Sequence, residues 1–136
     1  MPHDTKIAMV VRYDLPTWQK LNVVAYLASG VAAGRDGVIG EPYQDASGHR
    51  YLPMFGLPVL VFAADADEMA AVRRRCAERD LSTVIFTDEL FSTYDDAANR
   101  AAVREVESEK LALAGIGVHG RRTVVDKVLK GLRLHP

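Results

Sequence analysis

The chain reads as an α/β domain, a three-layer sandwich with a four-stranded, largely parallel or mixed sheet and helices on both faces. Two observations predict this. Short β-branched apolar runs alternate with helix-length segments along the whole sequence, and the runs are apolar at consecutive positions, as in strands covered on both faces. A third observation sets the scale: 136 residues with 49% hydrophobic and 26% charged content suit a single domain, 1–136, that buries a core without disulfide or metal help.

The first run, "KIAMVVR" (6–12), predicts a strand, and 17–33 predicts a helix that is apolar on nearly every side. On that helix Asn22, Tyr26 and Ser29 fall at i, i+4 and i+7, on one face. Such a polar stripe is either a satisfied core network or the wall of a cleft. Residues 34–56 break the rhythm with five glycines and two prolines, and read as a long excursion with a turn at Asp45–Gly48 and as a candidate lid. "LPVLVFA" (57–63) is the second strand, followed by a helix at 66–79 that Asp65 caps and to which Glu68 reaches back. Ser82–Thr87 and Leu111–Val118 are the third and fourth strands, with helices at 94–107, starting at Thr93 and Asp96, and at 121–131.

In open α/β sheets ligands collect beyond the carboxyl ends of the strands. This rule points to Arg12–Asp14, Thr87–Glu89 and Gly117–Gly120, with Lys20 and Asn22 facing the same rim. The acid Asp88 ends a strand there, and of the adjacent pair Asp88 and Glu89 at most one faces a site.

Several classes are excluded. Gly115–Gly120 matches the dinucleotide pattern G-x-G-x-x-G, but the sixteen residues after it leave no room for the rest of that unit, so it reads as a tight strand-to-helix turn and no cofactor is expected. Arg121 and Arg122 start a helix whose dipole prefers acids, so they either point into water or hold an anion. Cys76, the lone cysteine, lies at helical spacing from Met69 and Val72 and reads as a small buried hydrophobe; no metal site is expected. The net charge of -1 argues against an extended nucleic-acid surface. Seven acids against two arginines lie between Asp88 and Glu109, and five basic residues against one aspartate between His119 and Pro136. No membrane span or signal peptide is read from the sequence, which predicts a cytoplasmic protein; a homodimer is left open.

The segments "KIAMVVRYDLPTWQKLNVVAYLASG", "PVLVFAADADEMAAVRRRCAERDLSTVIF" and "LAGIGVHGRRTVVDKVLKGLRL", roughly 80 residues together, resemble the type-two peptidyl-tRNA hydrolases. A closer resemblance is to a bacterial family related to them in fold, domain of unknown function two-thousand, through Asp14-Leu15-Pro16, Asn22, Ala25, Gly40, Asp45, Gly48, His49 and Pro58. The hydrolases carry two lysines spaced by one residue and then a glutamine; here Lys20 matches the first, and Asn22 and Tyr26 stand in place of the others. Their Asp-Ala-Gly-Arg-Thr-Gln motif is replaced by "TDELFST", in which Asp88 is the nearest acid. The resemblance implies a cleft of Lys20, Asn22, Tyr26, Asp88 and the excursion for a small anionic or ester-type ligand. In a hydrolytic version Lys20 stabilises an oxyanion, Asn22 orients the carbonyl or water and Asp88 positions the nucleophile, with Tyr26, His49 and Arg121 as ligand-binding residues. The alternative is a non-catalytic binding or regulatory module.

Overall fold

The computed structural model describes residues 4–136. Its elements run β1 (Thr5–Arg12), α1 (Thr17–Gly34), β2 (Tyr43–Gln44), β3 (Arg50–Tyr51), β4 (Val59–Ala64), α2 (Ala66–Glu78), β5 (Thr83–Thr87), a 3₁₀ turn (Asp88–Ser92), α3 (Asp96–Arg104), a second 3₁₀ turn (Ser108–Lys110), β6 (Leu113–Arg121), α4 (Arg122–Val128) and β7 (Arg133–Leu134). No helix among them is long and apolar enough to cross a membrane.

The main sheet has five strands rather than four, in the order β5-β6-β1-β4-β7, and β2 and β3 form a separate pair. It is mixed: β1 and β4 are parallel, while β6 runs antiparallel to both β1 and β5 and β7 antiparallel to β4. β1 alternates between two cores. Ile7, Met9 and Val11 pack with Val23, Leu27 and Val31 of α1, whereas Ala8 and Val10 pack with Met69, Val72 and Cys76 of α2 and Val125 and Val128 of α4. Both faces are therefore covered, which gives the three layers and explains the continuous apolar runs.

The glycine run is not a turn. Gly115, Gly117 and Gly120 lie inside the buried strand β6. A Cβ at Gly115 would stand 2.4 Å from Val23 Cγ1, and one at Gly117 would stand 3.2 Å from Leu27 Cβ, so these residues let α1 sit directly on the sheet. The capping box predicted for α2 is present, with Asp65 accepting from the Glu68 amide and Glu68 from the Asp65 amide. α3 starts later than predicted, because Asp95, not Thr93, accepts from the Ala98 amide.

The excursion is a hairpin arm. Its base is tied by Gly40 donating to the Met54 carbonyl and Gly56 to that of Val38, both at 2.8 Å. At its tip Asp45 accepts from the Ser47 and His49 amides and from the Tyr51 hydroxyl, and Gly48 takes φ 84°, as the predicted turn requires.

Candidate functional site

After β1 the chain crosses to β4 with α1 on one face; after β4 it crosses back toward β5 with α2 on the other face. The carboxyl ends of β1 and β4 therefore form the switch point at which α/β sheets open a crevice. Tyr13, just beyond β1, sits at its centre and is fixed by its amide donating to the Ala64 carbonyl at 2.9 Å.

Cavities surround Tyr13. One of about 580 Å³ is lined by Tyr13, Asp65, Glu68, Arg133 and Leu134, and a neighbour of about 550 Å³ by Arg12, Asp14, Asp65, Asp88 and Leu113. Their acids are engaged within the protein: Asp65 and Glu68 in the capping box, and Asp14 and Asp88 on Arg12. The Arg12 guanidinium donates to Asp14 at 2.7 Å and, through Nη1, to Asp88 at 2.9 Å and the Leu113 carbonyl at 3.0 Å. Burial pulls its pKa down, but the hydrogen bonds and charges of Asp14 and Asp88 outweigh this and hold it above its ordinary value. Asp88 thus ties the end of β5 to the end of β1.

On the α1 side of the crevice lies a cavity of about 320 Å³ with Val11, Leu21, Val24 and Val61 as apolar walls, and Thr17, Lys20 and His135 as its polar groups. Lys20 Nζ stands 3.0 Å from His135 Nε2 and 4.5 Å from the centroid of the Tyr13 ring. His135 Nδ1 is 3.0 Å from the Pro136 carbonyl oxygen. With that nitrogen donating to the carbonyl, Nε2 accepts from the ammonium. An ammonium has three donors, so His135 leaves others for a ligand oxygen.

The opposite flank of α1 is different. Trp18, Asn22 and Tyr26 line a groove of about 360 Å³ with Phe86, Phe91 and the segment 93–99. Asn22 is exposed, and Ser29 donates to the Tyr26 carbonyl at 2.6 Å. The stripe is thus no buried network.

The residues expected to share one cleft are therefore distributed. Lys20 and Asn22, two apart, face opposite flanks of the helix, and Asp88 lines a third cavity. His49 is on the arm, its ring 4.9 Å from that of Tyr51, and none of these four cavities is lined by the arm. Arg121 pairs with Thr5 in register, so β6 ends at the rim opposite Arg12; the placement of Gly117–Gly120 beside Arg12 and Asp88 is corrected by the antiparallel run of β6. His135 and Tyr13 had no local signal of their own. Tyr13 lay inside the stretch that the strand-end rule marks, but nothing short-range links His135 to Lys20.

Cys76 is inert: burial pushes its thiol up to about 11, against the weaker pull of Arg79 and Arg73. Among the described residues no group of three or more His, Cys, Asp or Glu side chains is placed to hold a metal ion.

A model of the family described as protein of unknown function (DUF2000) matches residues 5–136. A solved structure of a protein of unknown function from Agrobacterium tumefaciens strain C58 is 41% identical, with a TM-score of 0.95 over 98% of this chain and 98% of its own. The comparison with curated proteins gives no match.

Proposed function

Given that the chain belongs to the DUF2000 family, we propose that it is a small-ligand-binding domain whose ligand, a carboxylate or ester carbonyl on a compact apolar body, sits against Lys20. The observation that carries this reading is the Lys20 ammonium, set at 3.0 Å on His135 in a mainly apolar cavity of about 320 Å³. That volume suits a small molecule, and an apolar wall with few fixed polar groups is what such sites use. The cavity's low polarity strengthens a charge-assisted bond from Lys20 to a ligand oxygen.

Binding is favoured over hydrolysis because the other two residues of the hydrolytic scheme do not converge on Lys20. Asn22 faces the far flank, and Asp88, with one carboxylate oxygen on Arg12, lines a different cavity from Lys20. The peptidyl-tRNA-hydrolase-like reading of the fold rests on the three segments quoted above, within which Lys20 matches the first of the two lysines, and it implies no cleavage of peptidyl-tRNA.

Titration with a series of short aliphatic and aromatic carboxylates, followed by NMR shifts of Val11, Val24 and Val61 methyls, tests the reading. Saturable shifts that disappear in Lys20→Ala, with the fold intact by circular dichroism, are the expected result. Equal binding by the matching uncharged amides, or no methyl shifts at all, would overturn it.

A further inference from the structure

We propose that the groove on the Asn22 flank of α1 is a second, separate site, for a small organic cation of the alkylammonium class. Its construction has three parts. The first is a continuous series of rings: Trp18 lies edge-on to Phe91 at 6.1 Å between centroids, Phe91 is 4.9 Å from Phe86, and Phe86 is 5.7 Å from Tyr26. Phe86 is buried and forms the floor, while Trp18 and Tyr26 are 62% and 56% exposed and form walls two helical turns apart. Asn22 lies one turn from each.

The second part is the rim. Asp95 and Asp96 line the groove, and among the described residues no Lys, Arg or His does. Arg100 pairs with Asp96. Asp95 is exposed at the groove and accepts from the Ala98 amide through one carboxylate oxygen, so its second oxygen is not needed for the cap. The third part is capacity, about 360 Å³.

Large aromatic faces left open to water without an apolar partner are unfavourable, and an aromatic wall under a carboxylate rim matches one ligand chemistry well. The negative faces of the rings attract a cation, an alkylated ammonium is hydrated weakly enough to enter, and its methyl groups cover the exposed ring surface. A plain anion finds acids there, and a neutral apolar ligand gains nothing from the rim. The site differs from the Lys20 cavity in sign of charge, and α1 lies between the two.

The chain has one tryptophan, so Trp18 fluorescence reports on this groove without interference. Choline is the probe, with its uncharged tert-butyl isostere as the control. The expected result is a saturable change in Trp18 emission with choline binding about tenfold tighter than the isostere, the size of effect that a cation over partly desolvated rings produces. Asp95→Asn keeps a residue that caps a helix equally well, so its α3 should stay folded while choline binding weakens several-fold; Tyr26→Leu should weaken it further. Lys20→Ala should leave choline binding unchanged, which separates this site from the carboxylate site, and failure of carboxylate binding would not touch it. The proposal is overturned if choline gives no saturable response, if the isostere binds as well, or if Lys20→Ala abolishes the response.

Discussion

The two flanks of α1 are made from the same helix and carry opposite chemistry. One sets Lys20 among Val11, Leu21, Val24 and Val61 beside β4; the other sets Trp18, Asn22 and Tyr26 over Phe86 and Phe91 beside β5. A helix with a polar residue on each side is therefore not evidence for one cleft. At 3.6 residues per turn, positions two apart point away from each other, and a helix seated closely on a sheet becomes the wall between two sites. What makes it a wall is its underside, where Val23 and Leu27 rest on Gly115 and Gly117.

Raising the helix off the sheet should therefore disturb both flanks at once. In Gly115→Ala the new Cβ meets Val23 Cγ1 at 2.4 Å, Leu27 Cδ1 at 3.0 Å and the Val10 carbonyl at 3.2 Å. Val23 is β-branched and stiff, Leu27 is fully buried and the third contact is backbone, so the expected cost is about 1–3 kcal/mol, read from urea unfolding, with both ligand responses weakened. Gly34→Ala on the same helix meets nothing within 4 Å among the described residues and should stabilise by about 0.5–1 kcal/mol. If both substitutions are neutral, α1 is not seated on the glycines.

The C-terminal end of α1 offers a smaller test, through pH. Arg35, just past the helix, donates to Nδ1 of the buried His119 at 3.2 Å, and Nε2 of that ring is 2.9 Å from the Thr5 hydroxyl. Burial, and then the charge of Arg35, lower the His119 pKa below its ordinary 6.5. The unfolded chain then binds a proton more readily than the folded one, so the stability His119 contributes is fully present above the ordinary pKa and is lost as pH falls from there toward the lowered value. Melting temperature against pH should drop over that window in the parent and less in His119→Gln. An equal drop in both would assign the acid sensitivity elsewhere.

Much of the frame was legible because it rests on local pattern. The buried stripe Val23, Leu27 and Val31 has helical spacing, β1 is a continuous apolar run, and the Asp65–Glu68 box reads directly. What was not legible depends on distant partners. The glycines of β6 look like a turn until Val23 and Leu27 are placed above them. Two-residue strands such as β7 have no periodicity to detect. The sense of β6 depended on α3, which as a helix between strands suggests a crossover. α3 offers alanines and Val103 as its apolar residues and buries none of its positions, so it covers no sheet face and its chain returns antiparallel. The site divides the same way: Lys20 was marked by its strand end, but His135, 115 residues away, was not.

The smallest expected effect is on Asn22, and it decides how the stripe is understood. Were its amide part of a core network, Asn22→Ala would leave buried partners unpaired and cost about 1–3 kcal/mol. The side chain instead lies exposed at the groove, so the change should stay within about 0.5 kcal/mol, as exposed substitutions do. Tyr26→Phe should be equally mild, because the ring keeps its contact with Phe86 and the phenol is at the surface. Since Asn22 stands between Trp18 and Tyr26, its loss should alter the choline response while carboxylate shifts at Val11 and Val24 persist. Melting curves of the two variants, measured beside both titrations, check each part: a large loss of stability in both would restore a structural stripe, and loss of the carboxylate shifts in Asn22→Ala would merge the two flanks into one site.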